Sequence, residues 1–413
     1  MKKTSIFSLL FIGLLAFGLT ACEKDDTTDF SAYINNPQEE TPDPQEETPD
    51  TPEVPDDSTD IEPIVVAGSD TLYIAYNGAT ATVTGDEHGY VSVSGADVTV
   101  NALEADTTML IVLSGSTSDG SLLIYRKKAF TLQLNGVSIT NPDGPAINNQ
   151  CGKALYVDCV EGTENTLTDG EAYGDAPVNG SGEPIDQKGT LFSEGQIYFI
   201  GQGALTVKGN AKNGIASDDY IIFQRGTVTV NVSETGSNGI KVNDGIAIEG
   251  GTLKISVEAD GARGIRSEAY TTVSGGTTTI TTKGDCKIET VDGEEDASSA
   301  AGIKCDSVFT MNGGTLTITS SGDGGKGINC SQNVEVSGGT LTVKTTGSNE
   351  DGKPKGVKSD TGIIVSGGSF EVTVKKSWAC DNGTDSETPD DHLTVIGTPT
   401  TKSIAKKAVT VKF

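Results

Sequence analysis

Basic side chains are scarce in this 413-residue chain: 29 Lys and Arg stand against 58 Asp and Glu, with two His, for a formal charge of -29. A nucleic-acid binder needs a basic footprint, so that class is excluded. Aromatic residues make up only 5%, with one Trp, which disfavours an ordinary helical protein. No C-x-x-C pair, H-E-x-x-H motif or histidine cluster occurs, which weighs against zinc sites and His-based catalysis. The one long apolar run, Ile6 to Leu19, is too short and wrongly flanked to span a membrane. Glycine is what abounds, 52 residues against a usual share of ~7%, and without the three-residue period of collagen.

Residues 1–21 place Lys2 and Lys3 before that apolar run, the pattern of a secretory signal. Leu19-Thr20-Ala21-Cys22 looks like a bacterial lipobox, so Cys22 is expected to be lipidated and the protein membrane-anchored through lipid alone. The following Glu23-Lys24-Asp25-Asp26 resembles the acidic export signal of Bacteroidetes lipoproteins, which implies an outer-membrane, cell-surface location. From Glu23 to Pro63 there are 15 acids, one Lys and seven prolines, a composition that cannot bury enough surface to fold. Residues 22–63 are therefore expected to be an extended tether.

Beyond Ile64 short alternating runs such as Leu253–Val257 recur between glycines, the mark of an all-β chain. A Gly-Ile or Gly-Val pair at Gly214, Gly239, Gly264, Gly302, Gly327 and Gly356 is followed in all six cases, 12 residues later, by a second glycine, at 226, 251, 276, 314, 339 and 368. Units recur at 25, 25, 38, 25 and 29 residues, so the basic turn is 25 with insertions. Such units of three short strands cannot bury a face alone, and stacking gives a parallel β-solenoid. Alternation sends Ile221/Phe223, Ile246/Ile248 and their equivalents inward before the second glycine, and Val228/Val230, Leu253/Ile255 and theirs after it. Glycine is expected at corners, where φ is positive and neighbouring backbones lie close. Residues 64–413 read as one domain, with an N-terminal cap over 64–110 and a C-terminal cap over 378–413.

The segments Leu134–Thr140, Glu161–Gly170 and Lys208–Ile215, followed by Gly-Ile and Gly-Gly-Thr coils, resemble a bacterial extracellular carbohydrate-binding domain family. Its members are similar to right-handed parallel β-helices related to pectate lyases, and the likeness covers roughly residues 64–375, with Glu161–Gly170 its most specific element. The resemblance implies binding of cellulose or polygalacturonate, allows bound calcium, and implies no established catalysis. It assigns no individual ligand residue.

Candidate sites follow from the register. One residue after each Gly-Ile pair an outward column reads Ala216, Lys241, Arg266, Lys304, Asn329, Lys358, and two residues on a second reads Asp218, Asn243, Glu268, Asp306, Ser331, Asp360. These two ladders are either a self-neutralising solvated face or a groove whose cations meet an acidic polymer. Corner acids Asp260, Asp285 and Asp323, with Asp306 and Glu268, are candidate Ca²⁺ ligands, although aspartate also caps turns. The insertion 287–300 adds Glu289, Asp292, Glu294, Glu295 and Asp296. Tyr220 and Tyr270, two turns apart, are candidate sugar platforms, whereas Trp378 is expected to pack. A threonine ladder through Thr227, Thr252, Thr277, Thr315 and Thr340 suits any exposed strand. Cys305 and Cys330 stack at one inward position and are expected as free thiols. Gly322–Gly327 matches G-x-G-x-x-G, but no helix follows, so the dinucleotide reading fails. The leading expectation is a polysaccharide-binding surface lipoprotein. A calcium-dependent polysaccharide lyase and an adhesin or spacer are the alternatives.

Overall fold

The computed structural model describes residues 70–291, 294–348 and 352–413, and the side chains of these apart from 289–296. The signal 1–21, the tether 22–63 and Cys22 lie outside the described residues, as do the side chains of Glu289, Asp292, Glu294, Glu295 and Asp296.

The described chain winds into a parallel β-solenoid of about 11 turns. The repeating coil is seen in 213–232: a first strand over Asn213–Ser217, a two-residue turn, a second strand over Tyr220–Phe223, a corner at Gly226, and a third strand over Thr227–Val232. Each strand pairs in parallel with its equivalent in the next coil, so Ile215 stacks on Ile240, Ile221 on Ile246 and Val228 on Leu253. The first strands, from Asp97–Ala102 to Trp378–Asp381, make one sheet, here termed the first face. The second and third strands form the other two faces. Toward the N-terminus Phe130–Asn141 runs unbroken along both of these, pairing first with Leu155–Cys159 and then with Glu164–Asp169.

Alternation places the core where the sequence reading put it. Every inward pair from Ile221/Phe223 to Phe370/Val372 is buried, most of them completely. The stacked column Ile215, Ile240, Ile265, Ile303, Ile328, Val357 continues this interior along the first face. At ~25 cal/mol per Å² of apolar area removed from water, this continuous interior is the main stabilising term.

The two glycine sets turn out to have different physical reasons. Gly226, Gly251, Gly276, Gly314, Gly339 and Gly368 have φ between 66° and 75°, the left-handed corner expected from the sequence. The glycines of the Gly-Ile pairs have no such conformation. A Cβ at Gly214 would lie 2.4 Å from Val230 Cγ1, and one at Gly264 2.3 Å from Ile280 Cγ2, each on the third strand of its own coil. These glycines make room for a β-branched core residue.

Antiparallel hairpins close both ends. Asp70–Asn77 pairs with Thr80–Thr84, and Val91–Ser94 with Asp97–Ala102. Asp97–Ala102 already stacks in parallel on Ser121–Arg126, so the coils begin within the 64–110 segment. At the other end Ala408–Lys412 runs antiparallel to both Ser369–Val374 and the edge strand Thr401–Ala405, which is flanked by Lys406 and Lys407. Such capping blocks edge-to-edge association.

One expectation is overturned. Cys305 and Cys330 form a disulfide between adjacent coils. In-register parallel neighbours place their Cα atoms 4.8 Å apart, inside the ~4.4–6.8 Å range that a disulfide spans, so the stacked geometry does not forbid the bridge. Cys151, Cys159 and Cys380 are free, buried thiols.

Candidate functional site

On the outer side of the first face the register sets Ala216, Lys241, Arg266, Lys304, Asn329 and Lys358 in a single column. Each cation of the column has a carboxylate. Lys241 Nζ lies 3.1 Å from Glu268 Oε1 and donates to Asn243 Oδ1 at 3.0 Å; Arg266 pairs with Asp306; Lys304 lies 3.8 Å from Asp306 Oδ1; and Lys358 pairs with Asp360. These pairs are partly exposed, so each contributes only ~0–1 kcal/mol to stability and can exchange partners at small cost. Burial, and next the charge of Arg266, hold the Lys304 amine below its ordinary range, with Asp306 acting against them.

Where the first face turns into the second, Tyr220 and Tyr270 occupy one column with Gly245 between them. The Tyr270 ring lies over that glycine, which explains why no side chain stands there: a Cβ at Gly245 would be 2.6 Å from Tyr270 Cε1. Burial, with lesser help from Tyr220, pushes the Tyr270 hydroxyl up to about 12. The strip is longer than the sequence suggested. The Tyr156 and Tyr198 rings lie tilted with centroids 5.0 Å apart, and Tyr198 meets Tyr220 edge-on at 5.7 Å, hydroxyl to hydroxyl. Tyr198 is 5% exposed and forms the floor of the strip, while Tyr156, Tyr220 and Tyr270 are half-buried.

The proposed calcium ligands do not converge. Asp260 accepts the Asp285 backbone N–H at 2.8 Å, Asp285 that of Asp323 at 2.6 Å, and Asp323 that of Ser348 at 2.7 Å. These corner acids therefore cap the backbone of the next coil, although Asp260 and Asp285 also line an acidic groove of about 720 Å³ with Glu234 and Glu258. Asp306 and Glu268 sit on the first face in the ion pairs above. Among the described residues, the carboxylates that do gather are Asp186, Glu194 and Asp218, with ligand oxygens within 4.8 Å of one another.

Segment 170–188, an insertion between third and first strands, brings Asp186 there. Its backbone carbonyl accepts hydrogen bonds from Asn148 and Gln150, at 3.0 and 3.2 Å, on the first face. Lys188, 2.6 Å from Asp186 Oδ2 and paired with Asp218, supplies one positive charge for three negative ones. Burial first, then Asp218 and Asp186, push the Glu194 carboxyl up to about 7. Behind the same segment lies a cavity of about 590 Å³ lined by Glu171, Tyr173, Asp186, Lys188 and Lys212. The Tyr173 hydroxyl donates to buried Asp169 at 2.8 Å, and Lys212 Nζ lies 4.9 Å from the Tyr173 ring centroid.

The most specific stretch of the sequence resemblance, Glu161–Gly170, proves to be scaffold. Asn165 Oδ1 accepts from Val137 N at 2.9 Å in the preceding coil while its Nδ2 donates to Ala204 O at 3.0 Å in the next, and Asp169 accepts from Asn210 N at 2.6 Å. Trp378 packs against His392, ring centroids 4.1 Å apart, in the C-terminal cap, as expected.

The residue before each of the last four of these glycine pairs forms a further column that sequence reasoning passed over: Arg263, Ala301, Lys326 and Lys355. The same 25-residue register would have revealed it. Asp186 and Glu194 had no such signal, because segment 170–188 interrupts the period.

These features define a parallel β-solenoid with polar ladders and a tyrosine strip on its outer faces. The family model described as carbohydrate-binding domain-containing protein matches residues 94–286 and 261–352, and the chain belongs to that family. A carbohydrate-binding domain-containing protein of Acetivibrio thermocellus is 29% identical over 143 residues, which are 34% of this chain and 48% of that protein. The chain thus matches about half the length of this curated relative. Among solved structures, a polysaccharide lyase-like protein from C. thermocellum, a gadolinium derivative, is similar with a TM-score of 0.50 and 25% identity, over 64% of this chain and 96% of that one.

Proposed function

We propose that the chain is a cell-surface lipoprotein that binds polysaccharide without cleaving it, along the outer side of the first face and its corner with the second. Cys22 carries the lipid, residues 22–63 hold the solenoid away from an outer membrane, and the solenoid meets the glycan. The observation that carries this reading is the register that stacks Lys241, Arg266 and Lys304 on successive coils about 4.8 Å apart, with Lys358 two coils further on beyond Asn329, beside Tyr220 and Tyr270. A repeating polymer lying along the axis finds similar contacts at successive rungs. Membership of a carbohydrate-binding family supports the reading.

The cations favour an acidic, pectin-like chain whose carboxylates replace Glu268, Asp306 and Asp360 as their partners. A neutral, cellulose-like chain would rely on the tyrosines. Asp186, Glu194 and Asp218 would suit Ca²⁺, which takes hard oxygen ligands, and the excess negative charge there favours a cation. Replacing both Lys241 and Lys304 by Ala is expected to weaken retardation in polygalacturonate gels about tenfold or more, from the loss of two charge-assisted contacts. Unchanged retardation would rule out the cation column.

A polysaccharide lyase is the second reading, supported by the name of the similar solved structure and by the lowered amine of Lys304. A base must be deprotonated to abstract the proton beside a uronate carboxylate. Lys241, Arg266 and Lys358 each lie against a carboxylate whose place a uronate group can take, which favours binding over elimination.

A further inference from the structure

We infer that Lys326 forms the centre of an anion-selective subsite on the C-terminal coils, which takes a carboxylate or sulfate group of a charged polysaccharide. The inference rests on the polysaccharide reading above and adds the ligand class and the residue that selects it. It starts from the column before the Gly-Ile pairs. Lys326 stands next to Ala301 on one side and Lys355 on the other, and the Arg266–Lys304–Lys358 column runs beside it.

The other cations here are already engaged. Lys355 Nζ lies 2.6 Å from Asp381, Lys358 pairs with Asp360, and Arg266 and Lys304 share Asp306. Arg263 donates to Ser298 Oγ at 2.8 Å. Lys326 differs from these lysines. Its Nζ donates to Ser299 Oγ and to the Gly352 carbonyl at 3.1 Å, both uncharged acceptors, and among the described residues no carboxylate pairs with it. An ammonium has three N–H donors, so one remains for a ligand. Ala301, one coil below, adds no long side chain to cover it.

The groups facing this amine are Arg263 from below, Lys355 and Lys358 from above, and the Cys286 thiol from the loop. Burial first, then the charges of Lys358, Arg263 and Lys355, bring the Lys326 amine down to about 8, with Cys286 acting weakly the other way. A bound anion favours the charged form and raises that value again. Below about pH 8 the empty site is already charged and binding needs no proton. Above it, binding must take up a proton, so affinity declines by up to about tenfold per pH unit until the liganded amine also titrates. On a chain of formal charge -29, a local cluster of this sign needs an occupant of opposite charge.

The experiment is isothermal titration of the tether-bearing protein, without its signal, with polygalacturonate, dextran sulfate and neutral dextran at pH 7 and pH 9. The wild type is expected to bind an anionic polymer about tenfold more weakly at pH 9 than at pH 7. Lys326→Arg, which stays charged, should bind equally at both. Lys326→Met should be about tenfold weaker at pH 7, with its melting temperature checked to confirm folding. Polygalacturonate preferred over dextran sulfate assigns a carboxylate, and the reverse a sulfate. Glycan binding that ignores polymer charge, pH and both substitutions overturns the Lys326 subsite and leaves the polysaccharide reading standing. Binding to none of these or to cellulose overturns both.

Discussion

Gly226 and Gly136 share a backbone conformation, φ 74° and 71°, and differ in what surrounds them. A Cβ at Gly226 would lie 2.3 Å from the Gly201 carbonyl oxygen of the coil below, whereas one at Gly136 would have nothing within 4 Å. Gly136→Ala should therefore cost about 1–2 kcal/mol, the left-handed penalty alone, and Gly226→Ala clearly more, because backbone must also move. Chemical denaturation of the two variants gives the comparison, and equal losses would contradict the close-approach argument. Glu194 offers a second test at this scale. Its carboxyl is partly buried and next crowded by Asp218 and Asp186, so above about pH 7 the ionised form weakens the fold, a penalty absent below the usual carboxylate range. Glu194→Gln should raise the melting temperature at pH 8 in EDTA and lower it in excess calcium if the cluster holds that ion. A variant with the same melting temperature as the wild type in both would remove calcium from the account. At the residue scale sequence legibility depended on periodicity. The six left-handed glycines and the lysine column could be read from spacing alone, but Asp186 could not, since its place depends on the path of an insertion.

The disulfide and the corner aspartates are properties of stacked elements. Cys305 and Cys330 close a loop of sequence separation 25, for which the chain-entropy relation gives a stabilisation on the order of 3 kcal/mol. Because a solenoid's stability is nearly a sum over neighbouring repeats, reduction should lower the protection from hydrogen exchange chiefly in the coils around 301–330. Uniform loss over all coils would contradict that locality. The Asp260, Asp285 and Asp323 ladder is expected to behave as turn caps: Asp285→Ala should cost about 0.5–2 kcal/mol, as loss of a capping carboxylate does at a helix start, whether or not calcium is present. Strand directions were legible because alternation at period two leaves little choice of face. The tyrosine strip was legible only in part. Tyr220 and Tyr270 share a register position, but Tyr156 and Tyr198 precede the regular repeat and join the strip through coils of uneven length.

Over the whole chain, the -29 divides into +2 from Lys2 and Lys3, -14 from residues 22–63, and -17 from 26 basic and 43 acidic residues after them. Within that last part charge is unevenly placed on the first face, with Asp186, Glu194 and Asp218 toward the N-terminal coils and Arg263, Lys326 and Lys355 toward the C-terminal ones. Composition cannot reveal such a division, because it appears only once coils are stacked. A glycan spanning several coils would meet the acidic cluster, the tyrosine strip and the basic columns in turn. The most direct measurement incubates the protein with polygalacturonate in calcium, following both retention on the polymer and ultraviolet absorbance of unsaturated product. Retention with flat absorbance is the expected result; rising absorbance, or no retention on polygalacturonate or cellulose, would contradict non-catalytic polysaccharide binding.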